Sequence, residues 1–246
     1  MHQILRYEST DSTNLRLKEL ADGADNGLVA LAAEQTLGRG RLSRSWLSRK
    51  GEGAWFSILV KDARLTNENA AGLVFVCAMA GARSLKRRSG ADVGIKWPND
   101  LVRNGKKLAG ILCESGFEGQ RLKWTVCGVG INLTTLVFPG ELPWAGSVLS
   151  ETGVALEADA VVDVFLDEFD SALETLLTEG LDAVISAVKP LSATLGRRVM
   201  AEYEGRTVSG EAIDLLPDGA LLLKTEDALV PLRVGDVSVR GLMGYT

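Results

Sequence analysis

QTLGRGRLSRSWLSRKG, residues 35–51, holds Arg39, Arg41, Arg44, Arg49 and Lys50 and no acidic residue, inside a chain of 246 residues whose formal net charge is −5. Glycines at 38 and 40 let the backbone approach a ligand closely, and the planar arginine donors suit phosphate and carboxylate oxygens, so the stretch predicts a local anion site. Five like charges repel, which predicts a loop that stays mobile until an anion arrives. A solvated, charge-rich surface loop is the competing reading. The flanks bear on the fold: Leu28 to Ala33 reads as a short buried strand entering the loop and Ala54 to Val60 as a strand leaving it, placing the loop at one edge of a β-sheet.

Working outward, Ser12-Thr13-Asn14 precedes Leu15, Leu17 and Leu20 and predicts a first helix with a polar cap, ending at Asp22-Gly23. From Glu68 to Arg88 apolar residues recur at helical spacing, with Lys86-Arg87-Arg88 in the last turn and Gly90 beyond it. Strand-like segments follow at Val93 to Trp97, Leu108 to Glu114 and Lys123 to Asn132, close enough together to require an antiparallel or mixed sheet. A long amphipathic helix spans about Asp159 to Leu177 and stops before Gly180. After Pro190 only short β-like runs remain: Arg198 to Tyr203, Thr207 to Leu216, Ala220 to Thr225, Leu229 to Val234 and Asp236 to Gly241. They predict a small SH3-like barrel. The chain therefore reads as α+β, a mixed-sheet domain over residues 1–189 and a barrel over 190–246.

Composition narrows the chemistry. No run approaches the ~18 apolar residues of a membrane helix, and the first residues lack the apolar core of a signal peptide, so a cytoplasmic protein is expected, with no membrane partner. Cys77, Cys113 and Cys127 are odd in number and lack C-x-x-C spacing; they read as buried small hydrophobes, neither disulfides nor a zinc site. With His2 the only histidine, Ser-His-Asp and Cys-His mechanisms and a histidine-rich metal site are excluded. Gly38-Arg39-Gly40-Arg41-Leu42-Ser43 lacks the third glycine of a dinucleotide fingerprint and the Gly-Lys-Ser/Thr of a P-loop. What remains is lysine, arginine, carboxylates, backbone amides and any ion a substrate brings.

Four segments stand out together: Ser12-Thr13-Asn14; Gln35 to Arg41; Lys96-Trp97-Pro98-Asn99-Asp100 with Lys107-Leu108-Ala109-Gly110-Ile111-Leu112; and Gly128-Val129-Gly130-Ile131-Asn132. Their order and spacing resemble bacterial biotin protein ligases over nearly the whole chain, the barrel included. The resemblance implies a catalytic domain with a class II synthetase-like sheet, and ATP-dependent attachment of biotin to a lysine of a carboxylase carrier domain through biotinyl-5′-AMP. ATP and Mg2+ are the implied cofactors, with no metal ligand from the protein. Joining a carboxylic acid to an amine requires activating the acid against a triphosphate, and positive charge is needed there.

By the same resemblance, Arg39 serves the α-phosphate and carboxylate, Arg41 and Arg44 the remaining phosphates or the adenylate, and Trp46 stacks on adenine. Lys107 contacts carboxylate and α-phosphate oxygens in the transition state; Lys96 is a second candidate that otherwise supports the loop. Asp100 receives the acceptor lysine and Asn99 shapes the nucleotide pocket. Ser12, Thr13, Asn14 and Gln35 offer polar groups to biotin's ureido ring, where helix capping is the alternative role for the first two. Gly38 belongs to the biotin loop. Gly128 and Gly130 leave room for the ring, beside Gly110 and Leu112 on the neighbouring strand. Asn132 faces ribose or adenine, and Arg240 reaches the terminal phosphates or is structural. Ser43 stands where the family commonly has glycine, which implies a stiffer loop. A lipoate ligase is the alternative enzyme. A biotin-sensing repressor is the alternative of another class, but the catalytic pattern starts at Ser12, leaving no room for a winged helix, so no nucleic acid partner is expected.

Overall fold

The computed structural model describes residues 2–203 and 205–233, and the backbone of 238–241. Seven strands form the main sheet: β1 (Ile4–Tyr7), β2 (Val29–Ala32), β3 (Gly53–Val60), β4 (Gly94–Lys96), β5 (Asp100–Arg103), β6 (Lys106–Glu118) and β7 (Arg121–Asn132). Their order is β1-β2-β3-β7-β6-β5-β4. β1 pairs with β2 in parallel and every other pair in this sheet is antiparallel, so the sheet is mixed, as the short spacings require. Because β1 lies outside β2, the basic loop does not leave an edge strand. It joins two interior strands at their ends.

The helices are α1 (Thr13–Leu20), α2 (Leu73–Ser89), α3 (Val148–Thr152), α4 (Ala158–Thr178) and α5 (Leu181–Val188). α2, α4 and α5 bury one face of the sheet; Phe56 of β3 meets Phe165 of α4 edge-on, with ring centroids 5.0 Å apart. α1 covers part of the other face through Leu17 and Ala21, against Ala30, Leu59 and Val126. With both faces covered, β3 is buried along its full length, and its sequence shows no in-out alternation. α2 ends where expected: Gly90 adopts φ 74°, its N–H bonds to the Lys86 carbonyl, and Lys86, Arg87 and Arg88 meet the negative end of the helix.

The second sheet is antiparallel with order β11-β10-β9-β8-β12, from β8 (Arg198–Tyr203), β9 (Arg206–Leu215), β10 (Leu221–Lys224), β11 (Leu229–Leu232) and β12 (Ser238–Gly241). These are the five expected strands with ends shifted by up to two residues. The sheet docks beside β4: Trp97 Nε1 donates to the Gly219 carbonyl at 2.9 Å, and Trp97 N to Thr194 Oγ1 at 3.0 Å. Among the described residues no helix is long and apolar enough to cross a membrane.

Candidate active site

The face of the sheet beyond α1 is open, and there the basic loop folds over β6 and β7. It is a hairpin. Gln35 pairs with Ser48 and Arg39 with Ser45, Trp46 N donates to the Gly38 carbonyl at 2.8 Å, and Gly40 N to the Arg44 carbonyl at 2.8 Å. Leu42 and Ser43 at its tip have φ of 55° and 58°. Two consecutive positive φ values define a type I′ turn, which glycine, asparagine or aspartate would adopt with less strain. Four of the five cations also have partners. Arg39 lies 3.3 Å from Glu114 and Arg41 donates to Asn99 Oδ1 at 2.9 Å, while Arg49 is paired with Glu52 and Lys50 with Glu8. The repulsion expected from the segment alone is thus offset by groups elsewhere in the chain.

Hairpin and sheet border a cleft with about 940 Å³ of empty space, the solvent in its open mouth included. α1 contributes Ser12, Thr13 and Asn14; the hairpin contributes Arg39, Arg41, Arg44 and Trp46. Asn99 and Asp100 come from the turn between β4 and β5, which contains a cis Trp97–Pro98 bond. Lys107, Gly110 and Leu112 line it from β6, Gly128 and Gly130 from β7. Lys96, 5% exposed, lines it as well.

At the centre, Lys107 Nζ sits 2.7 Å from Asp100 Oδ1 and 5.1 Å from the centre of the Trp46 ring. Lys107 is aimed by its own backbone, which bridges to Ala145 and donates to the Trp144 carbonyl at 2.7 Å. Cation, carboxylate and aromatic face therefore share one point, an arrangement suited to an anion beside a flat ring.

The polar end of the cleft is fixed differently from the expectation. Ser12 occupies the N-cap of α1 but its side chain makes no capping bond. Gln35 Oε1 takes that role, accepting from Thr13 N at 2.8 Å and from Thr13 Oγ1 at 3.1 Å. Ser57 Oγ lies 2.7 Å from Thr13 Oγ1 and 2.6 Å from Asn14 Oδ1. Asn14 Nδ2 donates to the Leu112 carbonyl at 3.2 Å and to Glu114 Oε2 at 2.9 Å.

The glycines also differ from the expectation. A Cβ on Gly128 would overlap the Asn14 side chain, and one on Gly130 or Gly110 would overlap the Trp46 indole. They make room for the protein's own side chains, so at these positions Asn14 and Trp46 lie against the strand backbone. Trp46 Nε1 is buried and has no hydrogen-bond partner among the described residues.

Two expected residues, Gly38 and Asn132, are not brought to the cleft. Gly38 lies outside its lining because it packs against the Trp46 carbonyl and Ser48, where a side chain would not fit. Asn132, 4% exposed, uses its Nδ2 to hold the Gly146 carbonyl at 2.9 Å. The side chain of Arg240 falls outside the described residues. In turn, Glu114 was not anticipated. It accepts from Asn14 and from Lys18 Nζ at 3.0 Å and pairs with Arg39. Burial opposes its charge, yet the hydrogen bonds from Asn14 and Lys18 and the charges of Lys18 and Arg39 outweigh it and hold its pKa below the ordinary 4.5. The signal available was its place at i+2 from Leu112 on one strand, which puts both on the same face.

The chain matches the Biotin/lipoate A/B protein ligase family over residues 6–132 and the Biotin protein ligase C terminal domain over residues 194–240. It is 35% identical over 224 residues to a biotin--[acetyl-CoA-carboxylase] ligase of Paracoccus denitrificans, covering 87% of this chain and 91% of that one. It is 31% identical to the bifunctional ligase/repressor BirA of Escherichia coli, covering 94% of this chain and 72% of that one. The structure of a biotin protein ligase from Aquifex aeolicus in complex with biotin and ATP superposes with a TM-score of 0.86 at 28% identity, over 97% of this chain and 99% of that one. The chain accordingly belongs to the biotin/lipoate A/B protein ligase family, within which its relatives and its C-terminal domain place it among the biotin protein ligases.

Proposed function

We infer that the protein joins biotin to a lysine of a carboxylase carrier domain, at the expense of ATP, through biotinyl-5′-AMP. The observation that carries this reading is the meeting of Lys107, Asp100 and Trp46 under a hairpin of arginines, in a chain of this family. In the first step the biotin carboxylate attacks the α-phosphorus of ATP in line, an anhydride bond forms and pyrophosphate leaves. Lys107 and Arg39 stabilise the charge that accumulates on the carboxylate and α-phosphate oxygens without transferring a proton. Arg41 and Arg44 serve the other phosphates or the adenylate, Trp46 gives adenine a stacking face, and Asn99 shapes the nucleotide pocket. Ser12, Thr13, Asn14 and Gln35 address the ureido ring.

In the second step the carrier amine attacks the acyl carbon, an amide forms and AMP leaves. Asp100 orients the incoming ammonium and helps remove its proton. Its ion pair with Lys107 holds the carboxylate, 7% exposed, at the cleft until then. Among the described residues, Asp100 is the one carboxylate of the lining. With Lys107 bonded to it, the lining offers no set of oxygen ligands for a divalent ion. Mg2+ therefore enters as part of the ATP substrate. Residues 1–189 form the catalytic unit and 190–246 the barrel. No nucleic acid partner is proposed, because duplex binding needs several cations spread along a surface and here the basic cluster is confined to one hairpin.

Biotin-dependent exchange of labelled pyrophosphate into ATP, followed by transfer of biotin to an isolated carrier domain, tests the reading. Exchange with lipoate but not biotin would refute the substrate; exchange without transfer would refute the carrier.

A further inference from the structure

The proposed reaction makes no use of cysteine, yet the three cysteines of the chain converge. Cys77 on α2, Cys113 on β6 and Cys127 on β7 are free, and their Sγ atoms all lie within 4.8 Å of one another. Cys113 and Cys127 are directly opposed in the β6–β7 register, so their side chains leave the sheet on one face. Cys77 descends onto that face from α2 within the main core. Cys77 and Cys127 are fully buried, and Cys113, partly exposed as a residue, packs against the same core. The cluster is separate from the cleft. Leu112 and Gly128, which line the cleft, adjoin Cys113 and Cys127 in sequence but face the other way.

We propose that Cys77, Cys113 and Cys127 form a binding site for a soft, thiophilic centre that takes three sulfur ligands and no charge, the class represented by trivalent arsenic delivered as arsenous acid. Soft centres select sulfur. A pyramidal centre bound to three sulfurs at about 2.3 Å, the zinc–thiolate length, holds them about 3.5 Å apart, so side-chain rotations of about 1 Å at each sulfur close this site. Number and charge then choose among soft centres. Structural zinc takes four ligands, and among the described residues this group ends at three. Glu114, next in the chain, is bonded to Asn14 and Lys18 on the opposite face, and His2 is bonded to Gly27 and Asp170. Three thiolates around a monovalent or divalent metal leave net negative charge in an apolar core, which is costly. Arsenous acid reacts with three thiols to give a neutral As(SR)3 and three waters: three As–O and three S–H bonds break, three As–S bonds form, and arsenic remains trivalent.

The test uses the reduced full-length protein with arsenite, Zn2+ and Cu+ as separate probes, reading bound element per chain after gel filtration and free thiols after quenching. The expected result is one arsenic per chain with all three thiols protected. Cys77→Ser, Cys113→Ser and Cys127→Ser should each weaken retention at least tenfold, with Cys113→Ala as a second variant where serine unfolds the chain. No bound arsenic, protection of only two thiols, retention unchanged in folded variants, or stoichiometric Zn2+ or Cu+ held more tightly than arsenic would each overturn the proposal.

Discussion

Gly128→Ala is the sharpest probe of how the cleft is built. The new methyl would overlap Asn14, which is 4% exposed and held by Ser57, the Leu112 carbonyl and Glu114. Asn14 must move. Overpacking of a tight site costs about 1–3 kcal/mol, and each hydrogen bond broken adds about 1 kcal/mol. With one or two bonds lost, the substitution should destabilise by about 3 kcal/mol, which for a chain of this size lowers the melting temperature by about 6–12 °C. The assay is thermal unfolding of wild type, Gly128→Ala, Asn14→Ala and the double variant. Truncating Asn14 removes the three atoms nearest the methyl, so the double variant should be no less stable than Asn14→Ala alone, a coupling well above the ~0.5 kcal/mol of independent sites. Additive effects, or a Gly128→Ala protein that melts with the wild type, would refute the account in which Gly128 exists to admit Asn14.

Three further outcomes are expected. Lys107→Ala should slow biotinyl-adenylate formation by about 10² or more, as removal of a single transition-state donor does, and Lys107→Arg should restore the ion pair with Asp100 but not the rate; a chemical step unchanged in single-turnover kinetics would reduce Lys107 to a binding residue. Glu114 has a native pKa below its ordinary 4.5, so the stability it contributes is fully present above pH about 4.5 and is lost as pH falls through the native value. Glu114→Gln should therefore lower the urea midpoint at pH 7 and converge on wild type in acid, and a gap that persists unchanged at low pH would exclude the ion-pair cluster as its cause. Replacing Leu42 with Asn and Ser43 with Gly puts residues that tolerate left-handed backbone at both positions, where an ordinary side chain costs about 1–2 kcal/mol. Proteolysis within residues 36–50 should slow about fivefold or more, and faster cleavage would show that the turn is not the I′ type.

What was legible in the sequence follows from what is local. The 3.6-residue stripe of α2 with Gly90 behind it, and the five short runs after Pro190, are decided within a few residues and were placed to within a few positions. β1 and β5 were not foreseen. β1 is a four-residue strand, partly exposed, whose pairing with β2 is parallel and lies some 25 residues away; nothing in Ile4–Tyr7 itself requires a partner. β5 begins at Asp100, where Lys96-Trp97-Pro98-Asn99-Asp100 reads equally well as a turn, and the turn is indeed there, immediately before the strand.

The site divides along the same line. Residue types suited to phosphate and carboxylate can be seen in the sequence because the chemistry needs the atoms they carry, and most of them do line one cleft. Their partners cannot, since a side chain's neighbour is a property of the fold. Arg39 carries no local sign that Glu114 will hold it, and Gln35 none that it will cap a helix begun 22 residues earlier. Glycine misleads most. An absent side chain is consistent with room for a ligand and with room for the protein, and sequence alone gives no means to choose. Gly128 and Gly130 look like space for a ring, yet they face Asn14 and Trp46. Small residues in a predicted pocket therefore show how closely something approaches, while what approaches is settled only when the elements on either side are in place.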